Sequence, residues 1–228
     1  MIEAALGADM VAMAEAKELS EKGILTSSCC PAFVQYIKSA FPNLVDYISH
    51  NMSPMTVLAK YIKETTPGAK VVFIGPCTAK KAEAQLESVK PYVDSVLTFE
   101  ELQALFDSRD FDLSSFEEGV LDNASYFGRI FARSGGLSDA VTQAMKEQNI
   151  DFEAKPVICD GIEACKIALL KLNKGLLGGN FIEGMACVGG CINGAGCLTH
   201  GEKNKAEVDK YGREALEKTI TDAVSILK

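Results

Sequence analysis

The chain lacks three features that would assign it to common classes of protein. It has no uninterrupted apolar run of about 18 residues, the length that a membrane-spanning helix needs. Its first 19 residues carry acids instead of the basic start and apolar stretch of a secretion signal. Basic residues are also too few, because 23 Lys and Arg stand against 31 Asp and Glu, whereas nucleic acids and anionic membranes require a basic surface. We therefore expect a cytoplasmic protein with no nucleic-acid partner and no membrane partner.

Apolar residues and cysteines, in contrast, are plentiful. Hydrophobic residues make up 47% of the 228 residues, which is enough for a substantial core. A disulfide framework is typical of small secreted chains that lack such a core, so we favour metal binding or redox chemistry as the role of the cysteines. The eight cysteines are Cys29, Cys30, Cys77, Cys159, Cys165, Cys187, Cys191 and Cys197.

Short apolar runs alternate with amphipathic helical patterns, which is typical of βαβ units that build a parallel sheet covered by helices. The predicted strands lie within residues 23–25, 71–75, 95–98, 155–160 and 176–187. Ser53 with Pro54, and Thr98 with Glu101, predict the starts of two helices. The charged tail from about residue 203 predicts a C-terminal surface helix. The sequence therefore predicts an α/β fold.

Four cysteines lie at predicted strand ends or in glycine-rich turns, where ligands collect in open α/β sheets. They are Cys30, Cys77, Cys187 and Cys191. Four thiolates suit either zinc or an iron–sulfur cluster. Structural zinc sites more often use close cysteine pairs, whereas a [4Fe–4S] cube also needs bare backbone near its sulfides. Neighbouring glycines would supply that backbone: Gly184, Gly189, Gly190, Gly194 and Gly196. We favour the cube and keep zinc as the alternative.

Three motifs follow one another along the chain: TSSCCPAF at residues 26–33, GPCTAKKAE at 75–83 and EGMACVGGCINGAG at 183–196. In order and spacing they resemble the signatures of [FeFe]-hydrogenase catalytic domains, the C-terminal domain of the iron-only hydrogenase large subunit. The resemblance implies two α/β lobes of parallel or mixed sheet flanked by helices, with the metal site between them. It also implies the cofactor, a [4Fe–4S] cube joined through one cysteine sulfur to a two-iron unit with carbonyl, cyanide and azadithiolate.

On this fold we predict one lobe from residues 23–129, which carries the first two cysteine motifs. The second lobe combines residues 1–22 with residues 130–228 and carries Cys187, Cys191 and the C-terminal helix. The chain begins late relative to the family's catalytic domain. We therefore expect an N-terminally truncated domain with an incomplete lobe and poor activity on its own.

The resemblance assigns a role to each residue around the predicted cofactor. Cys30, Cys77, Cys187 and Cys191 would hold the cube, and Cys191 would also bridge to the two-iron unit. Cys29 would pass protons to and from the bridging amine, and Lys80 would donate a charge-assisted hydrogen bond to a cyanide. Ser28 and Pro76 flank the same ligands, and Met185 matches a methionine that packs against the two-iron unit.

A proton route is also implied by the resemblance. Glu15 and Glu18 are three residues apart on a helical pattern and share one face. They match relay carboxylates of the family, and Ser49 matches its relay serine. The implied path runs from Cys29 through Glu15, Ser49 and Glu18 to the surface. Without the resemblance, two glutamates on a helix would be interpreted as a solvated face.

Three positions depart from the pattern of the family's hydrogen producers. Gly75 replaces a methionine and Met55 replaces a glutamine, both beside the two-iron unit. Cys197 is added near the cluster as an extra ligand, a redox thiol or a packing residue. Changes around a metal site alter its activity, so these three positions leave the preferred direction of catalysis undetermined. The departures resemble the sensory branch of the family, in which hydrogen is a signal.

The implied activity is the reversible reaction of protons and electrons to H₂ in an anaerobe, with electrons from a ferredoxin or an electron-donor domain. One alternative is a signalling protein whose output domain is attached elsewhere. A second is a [4Fe–4S] protein like the cytosolic cluster-assembly relatives, which lack the two-iron unit. Cys29 and Lys80 serve only that unit in the family, which speaks against the second alternative.

Overall fold

A computed structural model describes residues 1–117, 119 and 121–227 of the chain. The strands in these residues are β1 (Leu25–Thr26), β2 (Val72–Ile74), β3 (Ser95–Leu97), β4 (Pro156–Asp160) and β5 (Phe181–Met185). The helices are α1 (Ala4–Lys22), α2 (Pro31–Ala40), α3 (Pro54–Thr65), α4 (Ala79–Glu83), α5 (Phe99–Asp107), α6 (Tyr126–Ile130), α7 (Gly136–Glu147), α8 (Ile162–Asn173), α9 (Lys203–Arg213) and α10 (Ile220–Ser225). Short 3₁₀ segments span Pro42–Tyr47, Leu113–Ser115 and Cys191–Asn193.

The strands form two parallel sheets. One sheet has the order β1-β5-β4, and the other pairs β2 with β3. The central strand β5 is buried along its whole length, as expected for a parallel strand with neighbours on both edges and helices on both faces. The predicted α/β fold with parallel sheets flanked by helices is confirmed.

The strand β1 belongs to the sheet of β4 and β5. Leu25 of β1, which lies in the predicted lobe of residues 23–129, pairs with Phe181 of β5. Strand pairing depends on burial and on hydrogen bonds between residues far apart in sequence, and β1 is too short to carry a pattern that selects its neighbour. The predicted division into two lobes stays a prediction, and its residues 118, 120 and 228 lie outside the described residues.

The helix α1 forms the centre of the core and carries part of the candidate site. It packs against α3, α6, α7 and α10, so it is buried on more than one side. Leu6, Val11 and Leu19 are among its buried residues. The helix ends at Gly23, which adopts a left-handed conformation (φ 76°) and donates its N–H to the Leu19 carbonyl. None of the helices in the described ranges has the length and apolar character to cross a membrane.

The two predicted helix starts are correct. The Ser53 side chain accepts from the N–H of Thr56 at the start of α3, which has Pro54 in its first turn. At the start of α5, the Glu101 N–H donates to Thr98 Oγ1 (3.2 Å) and the Thr98 N–H donates to Glu101 Oε2 (2.9 Å). This is the reciprocal pair that the spacing predicts.

The predicted single C-terminal helix is wrong, because the tail forms the two helices α9 and α10. The second helix begins where the Glu147 carboxylate of α7 accepts the N–H groups of Ile220 and Thr221. Ile220 is buried in the core, so α10 is more than a surface helix. The start of α10 is therefore capped twice, by the Thr219 side chain, which accepts the Asp222 N–H, and by a carboxylate more than seventy residues away in sequence.

Candidate metal centre

The first cysteine motif follows β1 and leads into α2. The Ser27 N–H donates to the Ile182 carbonyl of β5, which anchors the loop at the strand end. Cys30 lies at the N-cap of α2, and Pro31 begins the helix with the φ angle that its ring imposes. Cys30 is buried. Cys29 is partly exposed, but its thiol group is buried.

The second motif follows β2 and leads into α4. Lys80 is buried on α4, and its ammonium donates to the Cys29 carbonyl (3.0 Å) and to Glu83 Oε2 (2.6 Å). Lys80 therefore connects the second motif to the first. Sequence reasoning missed Glu83, although a Lys and a Glu three residues apart on a helix signal an ion pair.

The third motif follows β5 and forms a tight turn between Cys187 and Cys191. Gly189 and Gly190 have φ angles of 83° and 89°, which favour glycine. The Gly190 N–H donates to the Cys187 carbonyl (3.1 Å), and the Ser134 N–H donates to the Gly189 carbonyl (3.1 Å). The turn therefore depends on glycine conformation and on support from the loop before α7.

The other motif glycines allow protein segments to approach each other. Their expected role, to expose backbone to a cluster, stays a prediction. A side chain at Gly184 would collide with the Phe33 ring, and one at Gly194 would meet the Pro76 carbonyl oxygen. The Gly196 N–H donates to that same carbonyl (2.8 Å). The backbone of Pro76 thus joins the second motif to the third.

The thiols predicted as cube ligands lie close enough in space for their charges to act on one another. Burial raises the pKa of the Cys191 thiol, and the charges of Cys30 and Cys77 raise it further. Burial also raises the pKa of Cys187, again together with Cys30 and Cys77. A cationic metal core would compensate this repulsion, because metals bind thiols as thiolates. The donor set therefore fits a four-thiolate cluster.

Over the described ranges, no three His, Cys, Asp or Glu side chains converge tightly enough to hold one metal ion. A cube distributes its four thiolates over four irons, so it needs no such convergence.

The predicted proton relay is partly assembled. Ser49 Oγ donates to Glu18 Oε2 (2.8 Å), and the Ser28 N–H donates to Glu15 Oε1 (3.4 Å). Burial raises the pKa of Glu15 to about 8, against the hydrogen bond from the Ser28 N–H, which lowers it. Burial also acts to raise the pKa of Glu18, but hydrogen bonds from Lys22, from the backbone at position 50 and from Ser49 lower it overall. Glu15 is thus biased toward the protonated form and Glu18 toward the ionised form.

Cys29 lies at the inner end of this relay. Burial raises the pKa of its thiol, and the charge of Glu15 raises it further. The second oxygen of Glu15, Oε2, is buried without a hydrogen-bond partner among the described residues. The structure therefore brings Cys29, Glu15, Ser49 and Glu18 together.

Two residues predicted beside the cofactor also make contacts within the protein. Ser28 Oγ donates to the Asn51 carbonyl (2.7 Å). Met185 is almost fully buried and belongs to the same core cluster as Leu25 and Phe181. Neither contact tests a role toward the cofactor, so both assignments stay predictions. Ser28 and Ser49 also line a cavity of about 690 Å³.

The remaining cysteines have distinct environments. Cys159 and Cys165 are buried in the core between α2 and α8. Cys197 is buried near the third motif, where its thiol donates to the Ile192 carbonyl (3.2 Å) and its charge contributes to the raised pKa of Cys187. Cys159 and Cys165 therefore fit a role in core packing, whereas Cys197 lies beside the candidate centre.

The fold and the clustered thiols together define an α/β protein with a cysteine-lined candidate metal centre. Residues 1–195 match the family model described as iron only hydrogenase large subunit, C-terminal domain. The chain belongs to this family, and the resemblance of its three motifs is confirmed.

Curated relatives include both hydrogenases and cluster-assembly proteins. Iron hydrogenase 1 of Clostridium pasteurianum is 28% identical over an alignment of 251 positions, gaps included, which covers 89% of this chain and 44% of that protein. Cytosolic Fe-S cluster assembly factor NAR1 of Eremothecium gossypii is 36% identical over 104 residues, which cover 46% of this chain and 23% of that protein. The chain thus spans less than half the length of either relative.

Solved [FeFe]-hydrogenase structures share the fold. One, concerned with oxygen inactivation of the H cluster, superposes with a TM-score of 0.77 at 20% identity and covers 99% of this chain and 78% of its own. HydA1 from Chlamydomonas reinhardtii superposes with a TM-score of 0.71 at 20% identity and covers 96% of this chain and 75% of its own. At this identity the likeness establishes the fold.

Proposed function

We propose that the chain is an [FeFe]-hydrogenase catalytic domain that interconverts H₂ with two protons and two electrons at an H-cluster. One observation supports the proposal: Cys30, Cys77, Cys187 and Cys191 come from three parts of the chain, and the charges of Cys30 and Cys77 raise the pKa of both Cys187 and Cys191, beside Cys29 and Lys80. When bound, the cofactor would supply the iron at which H₂ is split or formed and the electron path through the cube.

The chain's own residues hold that cofactor and control its surroundings. The four cysteines would bind the cube as thiolates, and Cys191 would provide the sulfur shared with the two-iron unit. Lys80 keeps a positive charge buried beside the thiols, oriented by Glu83 and by the Cys29 carbonyl. Such a charge stabilises anionic ligands in a buried site. Ser28, Pro76 and Met185 complete the surroundings.

Protons would move outward from Cys29 through Glu15, Ser49 and Glu18, of which Ser49 and Glu18 are joined by a hydrogen bond. Glu15 has a raised pKa of about 8, so near neutral pH its carboxyl carries a proton that it can exchange with Cys29. A hydroxyl can accept one proton while it donates its own, so Ser49 could accept from Glu15 and donate to Glu18. The Glu18 carboxylate lies beside Lys22 and His50 at the surface.

Infrared spectroscopy of the matured chain tests this function. We expect carbonyl and cyanide bands in the wild type and their loss in Cys191→Ser. Cys159→Ser is the matched control, because it also removes a buried thiol but one in the core. The proposal would be contradicted if the chain binds iron and sulfide and shows the electron paramagnetic resonance signal of a cube but still lacks the carbonyl and cyanide bands.

The second candidate is a [4Fe–4S] protein without the two-iron unit. Its support is the 36% identity to a cluster assembly factor over 104 residues. Cys29 and the buried Lys80 favour the hydrogenase, because in the family these two residues serve the two-iron unit. The same spectra decide between the two candidates.

A sensory role is a variant of the hydrogenase proposal, supported by Gly75, Met55 and Cys197. It predicts slow turnover with a tight response to H₂, read out through an attached signalling domain. A ferredoxin or an electron-donor domain in the cytoplasm of an anaerobe would supply electrons in the catalytic case. Hydrogen turnover measured with a reduced dye distinguishes these roles.

A further inference from the structure

The strand β4 contacts the turn that carries two of the predicted cluster ligands. Asp160 ends β4, and in the parallel register it pairs with Met185, two residues before Cys187. The next residue, Gly161, donates its N–H to the Met185 carbonyl (2.9 Å). A Cβ at Gly161 would lie only 2.9 Å from Cγ2 of Val188, so the end of β4 packs closely against the turn.

The side chain of Asp160 also binds this turn. Its Oδ1 accepts the N–H of Gly189 at 2.5 Å. A hydrogen bond from a neutral N–H to a carboxylate is roughly twice as strong as one between neutral groups. On the other side, the Gly189 carbonyl accepts from the Ser134 N–H. The Gly189 residue is therefore held through both of its backbone polar groups by segments outside the turn.

The turn needs such support because glycine does not select one conformation by itself. Gly189 and Gly190 have positive φ angles, and glycine populates positive and negative φ about equally readily. A contact from outside the turn has to select the observed conformation. The hydrogen bond from Gly189 to Asp160 is a contact of this kind, and it acts between the two cysteines.

We propose that Asp160 is a positioning residue that holds the Cys187–Cys191 turn in the conformation in which both thiols face the cluster. The role of the turn in cluster binding rests on the proposed function. The hydrogen bond itself is a property of the chain without metal. Asp160 therefore acts through the backbone of Gly189.

Amide hydrogen exchange in the metal-free, reduced chain tests the hydrogen bond directly. In Asp160→Ala, exchange at Gly189 should be about tenfold faster, because a hydrogen bond to a charged group is lost. Asp160→Asn should restore most of the protection, because its side-chain oxygen still accepts. Glu163→Gln is the matched control, since it removes an exposed carboxylate three residues away that makes no hydrogen bond among the described residues. Urea denaturation of all four proteins checks that each variant stays folded under the conditions of the exchange measurement.

Cluster retention tests the consequence. After reconstitution with iron and sulfide, iron loss to a chelator should be about tenfold faster in Asp160→Ala than in wild type. Asp160→Asn and Glu163→Gln should resemble wild type. Unchanged Gly189 exchange in Asp160→Ala, or an Asp160→Asn variant as impaired as Asp160→Ala, would overturn the proposal. If the wild type takes up no cluster, the proposed function fails and the exchange measurement alone decides the role of Asp160.

Discussion

Buried carboxyl groups show how single residues combine stability with function. Glu15 is buried beside Cys29 and has its pKa raised to about 8 by that burial. Asp9, on the same helix α1, has its pKa raised to about 7 by burial and accepts from the Ser125 N–H (2.8 Å) and Oγ (2.6 Å). Glu15 fits the proposed proton relay, whereas Asp9 connects α1 to the start of α6. Burial thus raises the pKa of both carboxyl groups, but Glu15 belongs to the proposed relay whereas Asp9 stabilises the fold.

The substitution Asp9→Asn should change how stability depends on pH. The pKa of Asp9 is 3.8 without perturbation and about 7 in the fold, so folding favours the protonated carboxyl. This contribution is fully present below about pH 4 and is lost as the pH rises through about 7. Asparagine keeps an accepting oxygen for Ser125 and does not titrate.

The free energy of unfolding of Asp9→Asn, relative to wild type, should therefore rise by on the order of a few kcal/mol between about pH 4 and about pH 8. Urea denaturation at both pH values measures this difference. An equal difference at the two pH values would contradict the raised pKa of Asp9.

At the scale of elements, close contact between β5 and α2 places the first and third cysteine motifs side by side. Gly184 in β5 lies against the ring of Phe33, which is fully buried in α2. Phe33 follows Cys30 by three residues, so the position of α2 on the sheet also sets the position of that thiol. A residue without a side chain is required at this contact, because any Cβ would overlap the ring.

The substitution Gly184→Ala should destabilise the protein by about 1–3 kcal/mol, since the added methyl forces the Phe33 ring or the whole of α2 to move. Gly178→Ala is the matched control, because a Cβ at that position meets open space. Denaturant unfolding measures both variants. Equal stability of the two would show that α2 accommodates the methyl without cost.

For the whole molecule, Arg129 of α6 connects segments that are far apart in sequence. Its guanidinium, with a side chain only 2% exposed, pairs with Glu3 (3.0 Å) and Asp122 (3.1 Å). It also lies over the ring of Tyr211 in α9, 4.2 Å from the ring centroid. The N-terminal segment, the segment before α6 and the C-terminal region therefore depend on one buried cation.

The substitution Arg129→Met should destabilise the protein by about 3–5 kcal/mol, because it leaves the Glu3 carboxylate buried without its cation. Adding Glu3→Gln should recover part of that loss, since no unpaired charge then remains at that position. A double-mutant cycle of unfolding free energies measures the coupling. Strictly additive losses would contradict a direct interaction between Arg129 and Glu3.

Local features were predictable because their causes lie within a few residues. The reciprocal hydrogen bonds of Thr98 and Glu101 depend on a spacing of three residues, and the structure has them. The ion pair between Lys80 and Glu83 could equally have been predicted from the spacing of the two residues, but it was missed. The start of α10 has a local signal that was missed, because Thr219 caps the helix by accepting the Asp222 N–H, whereas the Glu147 carboxylate that also binds the Ile220 N–H comes from a different part of the chain.

The sequence by itself determined the α/β class, the approximate strand positions and the family, because strand and helix periodicity and three cysteine motifs are local properties of the chain. Only the tertiary structure decided that β1 pairs with β5, that Gly184 makes room for Phe33 and that Asp160 binds the Gly189 N–H. These contacts join residues from 29 to 156 positions apart, and burial and hydrogen bonding select them only once the chain has folded.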